Sequence, residues 1–256
     1  MSRASGLALT TIVIKEVRRF LRIWVQTLVP PAVTTALYFL IFGGLIGSQL
    51  APINGLRYVD YIAPGVILMA VISNSYSNVV SSFFSAKYQR YVEELLIAPV
   101  PSAVILAGYV AGGVARGMAV GAVVGLVAVP FSRIGVESWV VAGAALVLTS
   151  VLFSLAGFIN ALFAKSFDDV SVIPTFVLTP LTYLGGVFYS VDMLPAPWQA
   201  FSLFNPILYM VNAFRFGLVG VSDIGLATAF AIIVAFVVAL AAFALVLLDR
   251  GVGLKS

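Results

Sequence analysis

The chain contains no cysteine and no histidine, and only 9% of its 256 residues are charged. Disulfides, thiol nucleophiles, imidazole bases and the common zinc sites are therefore excluded. None of its ten acidic residues lies deep in an apolar run, which removes the buried carboxylates of a proton- or sodium-coupled carrier. No G-x-x-x-x-G-K-[ST] string occurs, so the chain does not itself hold nucleotide in a P-loop. An enzyme reading has little chemistry to draw on.

Apolar residues make up 62% of the chain, and mean hydropathy is +1.12. No soluble core hides that much apolar surface, since soluble domains carry about a quarter charged residues. Almost every charge falls in the gaps between roughly six apolar runs of about 20 residues each, the length of a bilayer crossing. The pattern predicts an all-α membrane protein, a single transmembrane domain over residues 1–256. Six transmembrane helices are expected near 26–48, 61–84, 103–130, 139–162, 171–189 and 224–248. Arg3, Lys15, Glu16, Arg18 and Arg19 interrupt the first apolar stretch, so it is read as retained rather than as a cleavable signal.

An even number of crossings puts both termini on one side. With that side cytoplasmic, the inner segments hold Arg3, Lys15, Arg18, Arg19, Arg22, Lys87, Arg90, Lys165, Arg250 and Lys255, and the outer ones Arg57, Arg133 and Arg215. Ten against three satisfies the positive-inside rule. The net charge of +4 thus reflects orientation, and no nucleic-acid partner is expected.

Leu7 to Trp24 reads as an amphipathic helix in the inner headgroup layer, with Leu9, Ile12, Val13, Val17, Phe20, Leu21 and Trp24 on one face and Lys15, Arg18, Arg19 and Arg22 largely on the other. Pro30-Pro31 is expected to start the first span. Ser190 to Gly220 is too interrupted to cross and too apolar to be a free loop. Two short helices in the outer interface, hinged at Asn205-Pro206, would satisfy their own backbone groups, as a cap on a pathway or as a plain anchor.

Between the second and third spans lies Lys87-Tyr88-Gln89-Arg90-Tyr91-Val92-Glu93-Glu94-Leu95-Leu96, stopped by Pro99 and Pro101. Its mixed charges and aromatics suit a short helix seated in a groove of a cytoplasmic partner; a charged inner loop is the plainer reading. In the third span Gly113, Gly117, Gly121 and Gly125 stack on one face, permitting close approach of a helix from this chain or from a second copy. Arg116 flanks them near mid-span, where a cation costs about 2.5–3.5 kcal/mol to insert. Asp60, carbonyls freed near prolines, or a water-filled cavity could compensate it. Ser73 to Ser82, including Asn74 and Asn78, form a polar patch on the second span, for interhelical hydrogen bonding or as a pathway wall. Thr175, Thr179, Thr182 and Tyr183, with Pro174 and Pro180, make the fifth span a kinked polar helix. Asp168 and Asp169, after Lys165, read as a surface or partner-binding pair rather than an intramembrane dyad.

Several strings together extend this reading: the stretch from Arg22 to Pro31, Glu93-Glu94-Leu95-Leu96-Ile97-Ala98-Pro99-Val100-Pro101, residues 108–117 around Arg116, and Lys165-Ser166-Phe167-Asp168-Asp169 with the run from Pro174 to Tyr189. In these strings, and in order along essentially its whole length, the chain resembles the type-2 ABC exporter permeases. The resemblance implies a permease subunit of a bacterial inner (plasma) membrane, multi-pass with both termini cytoplasmic. It implies a homodimer in membrane lipid, driven by a separate ATP-binding cassette ATPase, with no cofactor on this chain because ATP is bound by the partner subunit. It places ATPase coupling on Leu7 to Trp24 and on Lys87, Arg90, Tyr91, Glu93, Glu94 and Leu95. It also implies that Ser190 to Gly220 is an outer re-entrant helical hairpin. The glycines Gly113, Gly117, Gly121 and Gly125 are assigned to helix packing or a dimer contact, and Arg116, Asn74 and Asn78 to a candidate pathway. An ATP-independent channel or scaffold is the rival expectation.

Overall fold

The structure, a computed structural model, describes residues 3–92 and 100–253. Every regular element among them is helical, apart from an isolated bridge between Ile53 and Leu56. Helix α1 runs Arg3–Arg22, and one residue, Ile23, turns the chain into α2, Trp24–Ile46. Helices α3 (Tyr58–Tyr88), α4 (Ser102–Ala128) and α5 (Trp139–Phe163) follow. Next come α6 (residues 167–183), α7 (Ala196–Leu203), α8 (Pro206–Val219) and α9 (Leu226–Asp249).

Five of these, α2, α3, α4, α5 and α9, are long and apolar enough to cross a bilayer. The span expected over 171–189 is α6, which is shorter: Phe167–Ile173, a wider π-helical stretch Pro174–Leu178, and Thr179–Tyr183. Its length of about 25 Å follows from the 1.5 Å rise per residue. The widening starts at Pro174, whose missing N–H cannot continue the regular ladder. Ser166 and Asp169 close a capping box at the start of α6. The Asp169 carboxylate accepts from the Lys165 and Ser166 amides at 2.9 and 3.1 Å, and the Asp168–Asp169 pair is exposed as expected.

Helix α3 is the axis of the bundle, buried along most of its length between α4 and α5. Phe83 packs at 4.2 Å, tilted by 40°, against Phe158 of α5 and meets Tyr109 of α4 edge-on at 5.1 Å. Lipid tails are as apolar as leucine, so dense contact rather than water exclusion holds such helices together. Small residues supply that density. A Cβ added at Gly157 would sit 2.6 Å from the Tyr76 carbonyl oxygen, and one at Gly217 of α8 would sit 2.5 Å from the Ala142 nitrogen of α5.

Two expectations are corrected. Pro30 and Pro31 do not start the first span; α2 begins at Trp24 and carries both inside it. The helix continues through them because the positions four residues back simply keep free carbonyls, which a polar groove accommodates. The break at Asn205-Pro206 is present, with Asn205 capping α8 through the Ile207 amide at 3.0 Å. Yet α8 is enclosed by the bundle rather than left on its surface as an anchor: residues 207–215 are buried, and the helix packs on α3, α5 and α9. Gly217 permits the approach, and Arg215, the one cation on α8, bonds inside the bundle through Nε and Nη2.

The ends of α3, α5 and α9 that carry Lys87, Lys165 and Arg250 meet at a single basic end. Lys87 Nζ there donates to the carbonyls of Ala161 (3.3 Å), Leu162 (2.6 Å) and Ala164 (2.7 Å), which finish α5. A cation on these last carbonyls also complements the negative end of the helix dipole.

Candidate functional site

Helix α1 is seated on α4 through two glycines. A Cβ at Gly108 would lie 2.5 Å from Ile12 Cγ2, and one at Gly112 would collide with Glu16 Cβ. Ile12, Glu16 and Phe20, each four residues apart, form the buried face of α1. Glu16 is fully buried yet paired: Ser82 Oγ donates to it at 2.6 Å and Arg19 Nη2 lies at 3.3 Å. Arg19, expected on the solvated face, instead turns inward and donates to both the backbone carbonyl and Oδ1 of Asn78, each at 2.8 Å. A buried carboxylate bonded in this way acts as a lock between α1 and α3. Glu16→Ala is expected to take the acceptor from Ser82 and the carboxylate from Arg19, leaving α1 tied to α3 by the Arg19–Asn78 bonds alone and loosening it at a cost of about 3 kcal/mol. Limited proteolysis of α1 in detergent would report it, and wild-type resistance in the variant would refute the lock.

One turn from Asn78 on α3, Asn74 Oδ1 accepts a hydrogen bond from Arg116 Nη2 at 2.9 Å. Asp60 does not compensate Arg116. It binds Arg57 at 2.7 and 2.9 Å, Ser132 Oγ at 2.9 Å and the Arg133 amide at 2.8 Å, tying the 129–138 loop to the opposite end of α3. Fourteen residues, about 21 Å of helix, separate positions 60 and 74. Among the described residues no carboxylate pairs with Arg116.

Asn74 also lines a groove of about 290 Å³ between α2 and α3, with Gln26, Thr27, Pro30, Pro31, Thr34, Thr35, Tyr38, Met69, Ala70 and Ser73. A second cavity of about 190 Å³ shares Met69 and Ser73 and adds Leu178, Thr179, Thr182 and Tyr183 of α6. The hydroxyls of Tyr38 and Tyr183 meet at 3.0 Å across it. The polar residues of the second and fifth predicted spans thus converge on one face.

The rest of the α3 patch points elsewhere. Gly117 meets Ser75 and Ser150 where α3, α4 and α5 cross, and Gly113 meets Ser154 and Val79. The hydroxyls of Ser75, Ser150 and Ser154 are buried without hydrogen bonds, so their small size is what they contribute there. Gly113, Gly117 and Gly121 face helices of this same chain, whereas Gly125 has open space where a Cβ would stand.

Of the residues expected to couple to an ATPase, Lys87 is engaged with α5, while Arg90 and Tyr91 are exposed. Arg90 takes φ +63° just past the end of α3, a left-handed turn more often given to glycine. Tyr88 is 64% exposed and stacks beside Phe167 of α6 at 5.2 Å, leaving an aromatic ledge at the basic end. Glu93, Glu94 and Leu95 lie outside the described residues.

Sequence reading missed a second cluster, at the end opposite the basic one. Arg215 of α8 is completely buried. It stacks 4.0 Å over the Tyr61 ring, donates to the carbonyls of Tyr61 and Gly186, and faces Asp223 at 4.0 Å. Asp223 in turn accepts from the Tyr61 hydroxyl (3.0 Å), the Val191 amide and Asn54. Nothing in the spacing around Arg215 separates it from an ordinary loop cation. Glu16 did carry a signal, since it stands midway between Ile12 and Phe20 on the apolar stripe.

A bundle of bilayer-length helices, with a polar groove reaching a mid-helix cation and a docked amphipathic helix at its basic end, defines a multi-pass membrane transport protein. Residues 8–219 match the ABC-2 type transporter family, to which the chain belongs; it is a transport permease rather than an enzyme. It is 56% identical over 249 residues, 97% of each chain, to the inner membrane transport permease YadH of Escherichia coli K12, and equally to that of Shigella flexneri. Nodulation protein J of Rhizobium leguminosarum bv. viciae is 23% identical over 183 residues, 70% of each chain.

Proposed function

We propose that this chain is the membrane-spanning subunit of an ABC exporter in a bacterial inner membrane, working as a homodimer driven by a separate ATP-binding cassette ATPase. Membership of the ABC-2 family in a chain with no P-loop string carries this reading, because the energy must then come from another subunit. The relatives' name, inner membrane transport permease, supports the location. In this reading α6 completes six crossings, the outer hairpin is formed by α7 and α8, both termini are cytoplasmic, and the basic end receives the ATPase.

The coupling surface would comprise α1 and the segment from Lys87 to Leu96. Glu16 fastens α1 to α3, and Lys87 fastens the end of α3 to α5, so a push on this end reaches the bundle without loss in slack joints. ATP-driven approach of two ATPases would then tilt the helices as near-rigid bodies and change access to the groove. Helix α2 is the least buried of the long helices, at 11%, which favours cover by lipid or by a second copy.

The test replaces Glu93, Glu94 and Leu95 together by alanine and measures co-purification with the ATPase. Membrane insertion should persist and ATPase association should be lost. Undiminished association would remove the lever.

A further inference from the structure

Two guanidiniums, Arg19 and Arg116, are stacked one turn apart against Asn78 and Asn74 of α3, with a single carboxylate, Glu16, beside them. Among the described residues two positive charges face one negative, a surplus of one on a half-buried cluster in which the Arg19 side chain is 30% exposed. Three donors of this cluster are buried and have no acceptor: Arg19 Nε, Arg116 Nε and Asn78 Nδ2. Each unmade bond of a buried polar group is costly, and more so for a charged one. The Asn78 Nδ2 orphan lies 3.6 Å from where a Cβ on Gly112 would stand, on the turn of α4 before Arg116. Glycine at that position lets Glu16 of α1 lie against α4 beside the amide, so the cluster opens on the Asn74 side. Asn74 is shared between the Arg116 guanidinium and the α2–α3 groove, which gives the cluster a polar approach.

We infer that this cluster is a binding site for one oxyanion group, a phosphodiester or carboxylate, entering from the groove. Such a group supplies what the site lacks: one negative charge and oxygen acceptors that suit a guanidinium fork. The oxyanion can belong to a bilayer lipid or to a soluble ligand. The inference rests on the pathway reading of the groove only in treating a bound ligand as cargo.

The full chain would be held in dodecyl maltoside micelles alone, which carry no oxyanion, in the same micelles with added phosphatidylglycerol, and in the same micelles with inorganic phosphate in the buffer. Native mass spectrometry would count retained lipid, and thermal unfolding would give the apparent affinity for each anion. Phosphatidylglycerol retention and stabilisation point to a lipid source, and stabilisation by phosphate to a soluble one. Either effect should be weakened roughly 10- to 100-fold by Arg116→Gln, the worth of a charge-assisted hydrogen bond. Asn78→Asp keeps an acceptor for Arg19 and cancels the surplus charge, so it should abolish the anion effect while leaving the lipid-free chain at least as stable. It also serves if Arg116→Gln fails to insert. Wild-type protein indifferent to both anions, or an anion response unchanged in either variant, would overturn the site. No ATPase is present, so loss of the exporter reading would leave this result standing, and its failure would leave that reading intact.

Discussion

Arg215→Met is expected to destabilise the protein by about 3–5 kcal/mol, the usual cost of removing one partner of a buried charge pair. The loss has three parts, all at the junction of α3, α8 and the 184–192 segment. The Tyr61 and Gly186 carbonyls lose their donor, Tyr61 loses the cation over its ring, and Asp223 keeps a buried negative charge with no cation beside it. Thermal unfolding followed by intrinsic fluorescence in detergent should show a midpoint lower by roughly 10 °C. Arg215→Lys should recover little, because an ammonium cannot reach two carbonyls as a planar fork and stack as well. Asp223→Asn should be milder, since an amide oxygen can still accept from the Tyr61 hydroxyl and the Val191 amide. A midpoint unchanged in Arg215→Met would show that the cluster does not hold the α8 region in place.

Glycine substitutions along α4 are expected to differ by position although the four residues look alike in sequence. Gly117→Val places a branched side chain where Ser75 of α3 and Ser150 of α5 already touch α4. Overpacking of this kind costs about 1–3 kcal/mol or more, and three helices must separate to relieve it. Gly125→Ala should be neutral or slightly stabilising, because its Cβ meets nothing and alanine favours helix by about 1 kcal/mol. Gly117→Ala should fall between, and Ser75→Ala should rescue part of it, with a coupling of about 1 kcal/mol in a double-mutant cycle. Equal effects of alanine at 117 and 125, or no coupling between 75 and 117, would contradict the three-helix junction.

Both expectations concern contacts within one chain. The glycine stripe left open whether its partner was internal or a second copy, and periodicity could not decide, because either partner needs the same small residues at the same spacing. Space does decide it for Gly113, Gly117 and Gly121, whose neighbours are α3 and α5. Gly125 is left facing outward.

The bilayer-length helices were legible because insertion imposes a local rule. About 20 apolar residues must follow one another, and a charge in their midst stands out as Arg116 does. The amphipathic α1 was legible for the same reason, its stripe being a property of adjacent turns. α6 overlaps the span expected over 171–189 but covers 167–183, and it is not among the helices long and apolar enough to cross a bilayer.

What the sequence determined by itself, then, was the solvent: a lipid-embedded helical chain with its cations gathered at one end and no nucleotide loop of its own. Only the tertiary structure decided which polar groups meet: Glu16 with Ser82, Arg116 with Asn74 rather than Asp60, and Arg215 with Tyr61, 154 positions away. Apolar length is summed over neighbours in sequence and can be read from a string. The partner of a buried charge is set by helix rotation and crossing, which a string leaves free until the helices pack.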